Sequence, residues 1–100
     1  MEKRTPHCKL SLVHSLVRAD RVRATDAASI AAAKVGIYDI KGMCDVILSL
    51  STRDFYKSMT THADHKIWQD VYHGRTAAGI AVYLKLTVIN DVLIVSFKER

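Results

Sequence analysis

The 100-residue sequence is poor in proline (one), cysteine (two), glycine (four) and long apolar runs. Each scarcity excludes something. Two cysteines, Cys8 and Cys44, do not build a disulfide framework, which points to a reducing, cytoplasmic setting. Cys44 lies inside an apolar stretch and reads as a small core residue. No apolar run approaches the ~18–20 residues a membrane span requires, so no membrane partner is expected. The charged residues 1–6 lack the apolar segment of a signal peptide. There is no glycine-rich loop to cradle phosphate and no pattern of paired carboxylates. His62 and His65 make one isolated H-x-x-H, short of the four ligands of a structural zinc site, and neither cysteine sits in a nucleophile motif. No metal and no cofactor are therefore expected. Repeats, linkers and low-complexity stretches are also absent, so residues 1–100 read as a single domain.

What is present is a half-apolar chain, 49% hydrophobic, with a net charge of +5. A chain of this length buries roughly two-thirds of its unfolded surface, enough for one modest core. The basic excess is uneven. Residues 1–24 carry six basic side chains (Lys3, Arg4, Lys9, Arg18, Arg21 and Arg23) against two acidic ones (Glu2 and Asp20). The remaining residues are nearly balanced, nine against eight. Such a segment is either a solvated basic helix or a surface for a polyanion, whether nucleic acid or an acidic protein.

Thr5-Pro6 signals a helix start, and Leu10, Val13, Leu16 and Val17 follow helical spacing. Thr25 can cap a second helix through the alanine-rich residues 27–35, stopped by Gly36. From residue 43 the pattern reads as strands. Residues 43–50 form an apolar run of strand length, and 53–59 a short helical turn capped by Ser51-Thr52. Residues 66–73, 80–89 and 92–98 are rich in Val, Ile, Leu, Tyr and Trp with period-two alternation. Helices first and hairpin strands afterwards predict an α+β fold, its N-terminal helices packed on one face of an antiparallel sheet.

Asn90-Asp91 is a two-residue turn candidate. If it closes a hairpin, Ile89 faces Val92, Thr87 faces Ile94, Lys85 faces Ser96 and Tyr83 faces Lys98. The other face pairs Val88 with Leu93, Leu86 with Val95 and Leu84 with Phe97. That wholly apolar face belongs under the helices. The first face becomes polar away from the turn, where Tyr83, Lys85, Ser96 and Lys98 gather. A phenol beside an ammonium suits phosphate binding and proton transfer; lysine is equally at home on the open face of any antiparallel sheet. The preceding strand brings Gln69 opposite Tyr83 in one register, with a five-residue loop. A one-residue slip brings Trp68 and Asp70 to that face instead.

Four strings carry a family resemblance: MEKRTPH, GMCDVILSL, DFYKSMTTHADHKIWQDVY and VYLKLTVINDVLIVSFKER. Together they resemble the motility quorum-sensing regulator (MqsR) toxins, messenger-RNA interferases of type II toxin–antitoxin systems. The resemblance runs over essentially the whole chain and departs from the family in the second helix, in the HGRTAAGIA loop and at His62. It implies a RelE-like fold and endonucleolytic cleavage of mRNA at GC-containing triplets, inhibiting translation and growth; the cleavage is expected to use no metal. It also implies a cognate antitoxin of zinc-binding, helix-turn-helix type, through which DNA is met only indirectly. It places catalytic residues at Lys57 (DFYKSM), Gln69 (IWQDVY), Tyr83 (VYLK) and Lys98 (SFKE). Tyr56, Lys85 and Arg75 stand beside these as candidate RNA-binding residues. The resemblance favours the register with Gln69 opposite Tyr83. In this scheme Lys57 or Tyr83 activates the hydroxyl or protonates the leaving group; a lysine or tyrosine acting as base needs its ordinary pKa of about 10 depressed, which clustered cations around Lys57 could supply. The rival reading is a non-catalytic basic module that binds RNA or protein.

Overall fold

The apolar stripe at Leu10, Val13, Leu16 and Val17 is buried along helix α1 (Leu10–Arg18), as its spacing demands. A computed structural model describes residues 1–100. Helix α2 (Asp26–Lys34) starts where Thr25 accepts a hydrogen bond from the Ala28 N–H at 3.0 Å, and Gly36 follows it at φ +86°. Ala28 and Ala32 are fully buried, and α2 lies on the final strand of the sheet. Alanine allows that close approach because it adds little bulk between helix and strand.

Residues 43–50, expected as a strand, are helical: α3 spans Ile40–Ser49. The Asp39 carboxylate caps it by accepting the Gly42 N–H at 2.8 Å. Met43, Val46, Ile47 and Leu50 fall at i, i+3, i+4 and i+7, and all four are buried. Apolar residues at 44 and 48 widen this stripe into what looks like a continuous run. Cys44 is correspondingly half-exposed, not a core residue. The short helical turn expected over 53–59 shrinks to a 3-10 turn at Thr52–Asp54, held by the Ser51 N–H donating to Asp54 Oδ2 at 2.8 Å. Residues beyond it form a strand.

Six strands make one sheet: β1 (Glu2–Lys3), β2 (Val22–Ala24), β3 (Phe55–Thr60), β4 (Trp68–Arg75), β5 (Ala81–Ile89) and β6 (Val92–Glu99). Their order is β1-β3-β4-β5-β6-β2. All pairs are antiparallel except β2 with β6, which are parallel. The fold is thus α+β with the helices on one face, as expected. The third helix and the two short edge strands are additions. Leu84, Leu86, Leu93, Val95 and Phe97 form the buried face of the β5–β6 hairpin. Its turn residues Asn90 and Asp91 have φ of +51° and +60°, the paired left-handed geometry that suits the twist of a two-residue hairpin. Gly74 of β4 faces the helices; a Cβ there would come within 2.7 Å of Leu84 Cδ1 on β5, so a larger residue would push against that buried leucine.

Asp70, on the helix-facing side of β4, ties the N-terminal segment to the sheet. It is 2% exposed and accepts the His7 and Cys8 N–H groups, each at 2.9 Å. Two charge-assisted bonds hold the chain where it turns from β1 into α1. Asp70→Ala is expected to lower stability by about 1.5–3 kcal/mol, seen as a lower urea midpoint at unchanged slope.

Candidate active site

The face of the sheet away from the helices is organised in rungs. The β5–β6 register is the one the two-residue turn predicts: Tyr83 faces Lys98, Lys85 faces Ser96 and Thr87 faces Ile94. The β4–β5 register differs from the expected one. Tyr83 is opposite His73, not Gln69, and Lys85 is opposite Val71. The loop between β4 and β5 sits two residues farther along the chain than expected. Its closing bond runs from the Thr76 N–H to the Ile80 carbonyl at 2.9 Å, with Gly79 at φ +84°. Pairing therefore continues to the very end of both strands and slides every partner by four residues. Because four is even, Gln69 keeps its face. It sits opposite Met59 of β3, roughly 13 Å along the strand from the Tyr83 rung.

A bulge in β3 completes the site. Phe55 pairs with Tyr72 and Lys57 with Val71, leaving Tyr56 as the extra residue. The bulge turns Tyr56 and Lys57 to the same face. The Tyr56 ring lies 4.6 Å from that of His73, and His73 lies 5.1 Å edge-on from Tyr83. Cations surround this aromatic row. The Arg4 guanidinium is 5.8 Å and the Lys57 ammonium 5.3 Å from the Tyr56 ring; the Arg100 guanidinium is 5.6 Å from that of Tyr83. Arg75 pairs with Ala81, whose carbonyl accepts the Arg100 N–H at 3.0 Å, so both arginines sit one rung beyond His73 and Tyr83. A cleft of about 310 Å³ opens beside His73, lined by Asp54, Arg75 and Arg100. A larger cavity of about 510 Å³, between α3 and the β4–β5 loop, holds Arg75 but none of the tyrosines.

The sequence-derived residues therefore divide. Tyr56, Tyr83 and Lys98 come together at one end; Lys57 and Lys85 share the adjoining rung; Arg75 flanks them; Gln69 stands apart. His73, Arg4 and Arg100 were missed. Period-two alternation through the 66–73 segment already sets His73 on the face of Gln69, but its pairing with Tyr83 needed the loop geometry.

Electrostatics overturn one expectation. Lys57 Nζ is 2.6 Å from Glu2 Oε1. That hydrogen bond, more than any other influence, holds the Lys57 ammonium above its ordinary pKa and the Glu2 carboxyl below its own. Burial and the Arg4 charge oppose the effect on Lys57 without overcoming it, so Lys57 is kept charged and is no proton acceptor at neutral pH. His73 moves the other way: burial first, then the Arg100 charge, lower its pKa, leaving the ring neutral at pH 7. Elsewhere, burial pushes the Cys8 and Cys44 thiols up and Tyr72 up to about 12, so none of the three is primed to react. No group of three or more His, Cys, Asp or Glu side chains is gathered in ligating range. No helix is long and apolar enough to cross a membrane.

Residues 5–99 match the family model described as motility quorum-sensing regulator, toxin of MqsA. The chain belongs to the MqsR toxin family. It is 61% identical, over the full length of both chains, to the mRNA interferase toxin MqsR of Escherichia coli (strain K12). The strings DFYKSM, VYLK and SFKE, which carry the resemblance, all deliver side chains to the open face.

Proposed function

We propose that this mRNA-cleaving toxin of the MqsR family works without a metal, on the rungs that join Tyr56, His73, Tyr83 and Lys98. The observation that carries the reading is the Tyr83–Lys98 pair facing each other on an open sheet, beside a row of packed aromatics and ringed by Arg4, Lys57, Arg75 and Arg100. Aromatic faces hold unstacked bases, and flanking cations track the backbone of a single strand. In this scheme the ribose 2′-hydroxyl attacks the adjacent phosphorus, giving a 2′,3′-cyclic phosphate and a 5′-hydroxyl. Lys98 stabilises the added negative charge, and the Tyr83 phenol protonates the departing 5′-oxygen. Lys57, held as a cation by Glu2, binds phosphate. Lys85 and Arg75 extend the phosphate track, and Tyr56 stacks a base. Gln69, roughly 13 Å away, fits recognition of a neighbouring nucleotide and not the bond-breaking step.

The finer family properties belong to the same proposal. The chain acts as one domain in the cytoplasm, prefers GC-containing triplets, and is neutralised by an antitoxin of zinc-binding, helix-turn-helix type. The test is cleavage of a defined RNA in excess chelator with both product ends mapped. Undiminished cleavage leaving cyclic phosphate and 5′-hydroxyl ends is expected. Activity abolished by chelator and restored by a divalent ion would overturn the mechanism. Salt-dependent binding without cleavage would leave only a binding module.

A further inference from the structure

We propose that His73 is the proton acceptor of the cleavage reaction, taking the 2′-hydroxyl proton from RNA laid across Tyr56, Tyr83 and Lys98. The inference rests on the metal-free reading above and adds the group that reading lacks. Attack by a ribose hydroxyl needs a base that is unprotonated at neutral pH. Of the basic groups on this face, Lys57 is locked as an ammonium by Glu2. A tyrosine phenol ordinarily titrates near 10, too high to accept a proton efficiently at pH 7. Imidazole titrates near 6.5 and suits the task.

Position singles out His73 among the five histidines. His7 stacks on Trp68 on the helix-facing side, His14 bonds the Ile47 carbonyl from α1, and His62 and His65 lie between β3 and β4. His73 alone is on the open face, directly opposite Tyr83 and in contact with Tyr56. Its ring is held by packing between the two tyrosines. Nε2 is buried without a hydrogen-bond partner, so no protein group fixes the tautomer, and Nδ1 is left as the nitrogen that a substrate reaches.

Burial of the ring and the Arg100 charge beyond Tyr83 act against Asp54 from the 3-10 turn; Arg4, Arg75 and Lys98 stand farther around the ring, and Lys57 is paired with Glu2. The balance disfavours an imidazolium in the free enzyme. A bound phosphodiester reverses the balance, and the negative charge that grows on the phosphorane favours the imidazolium most at the transition state. The step then balances. The 2′-hydroxyl proton passes to His73 as the O2′–P bond forms. The P–O5′ bond breaks, and the Tyr83 phenol gives its proton to O5′. The His73 proton returns to the Tyr83 oxygen by way of solvent, restoring both groups.

The competing view makes His73 only a spacer between two tyrosines, and His73→Phe separates the two. Phenylalanine keeps an aromatic ring packed between the tyrosines but moves no proton; His73→Gln keeps a polar side chain. Single-turnover cleavage of a short RNA in chelator, across about pH 5 to 9, is the measurement. Wild type should lose activity on the acid side as the imidazole protonates. Both variants should cleave at least about 100-fold more slowly at pH 7, lack the acid limb, and bind the RNA within about threefold of wild type. Added imidazole should partly restore His73→Ala. Cleavage by either variant within about threefold of wild type, or a parallel loss of RNA binding in His73→Phe, overturns the assignment. A wild-type protein inactive in chelator overturns the metal-free reading, and the His73 step with it.

Discussion

Replacing Tyr83 with Phe is expected to slow RNA cleavage by about 10²–10⁴-fold at pH 7 while leaving the fold intact. The substitution removes one hydroxyl from a half-buried ring whose packing against His73, at 5.1 Å, phenylalanine preserves. Lys98→Ala should cost about 10²–10³-fold, the usual effect of deleting one group that stabilises developing anionic charge. Lys98 is exposed at the end of β6, so its loss leaves the core untouched. The two side chains face each other across one rung and act on one phosphoryl centre. The double variant should therefore fall well short of the product of the single effects. Measured under single turnover, the loss should appear in the cleavage step and not in RNA affinity. Wild-type rates in both single variants would remove this rung from the chemistry. By the same geometry Gln69→Ala should alter which sequences are cut more than the rate of cutting, because its side chain lies about four residues along the strand from the reacting rung.

Ile47→Ala should destabilise the protein by about 2–5 kcal/mol, the range for emptying a fully buried aliphatic site. Ile47 is 0% exposed in the middle of α3. Its carbonyl also receives His14 Nε2 at 2.9 Å, which joins α3 to α1. Around it Met43, Val46 and Leu50 are buried, with Val46 and Leu50 lying over Gly74 of β4. A cavity at this position cannot close without shifting α3, and α3 backs the strand that carries His73. Urea denaturation should show a lower midpoint with an unchanged slope. A loss under about 1 kcal/mol would mean that this stretch is not packed as a buried helix.

The parts of the fold that could be read from residue order are those where neighbours in sequence are neighbours in space. The stripe at Leu10, Val13, Leu16 and Val17 announces α1, and Thr25 announces the start of α2. Asn90-Asp91 with alternating flanks specifies the β5–β6 register down to Tyr83 opposite Lys98. Each follows from a local period or a local turn. Residues 43–50 misled because helix and buried strand both accept a continuous apolar run. The arbiter was the Asp39 cap, together with the outward-facing Asp45 and Ser49.

The site divides along the same line. Alternation alone placed Tyr83, Lys85 and Lys98 on one face, and the MqsR strings added Tyr56, Lys57 and Gln69. Tertiary structure decided what those residues can do. The β4–β5 register depends on where along the chain the loop falls, and a two-residue displacement of the loop, a shift of four in pairing, put His73 where Gln69 was expected. The charge state of Lys57 depends on Glu2, which lies 55 residues away in sequence and reaches it only because β1 pairs with β3. Local periodicity thus determined that a polar, lysine-bearing sheet face exists and which hairpin carries it. Only the contacts between distant strands decided that Lys57 stays charged and that a neutral imidazole stands beside Tyr83, since both facts arise from partners that no local pattern joins.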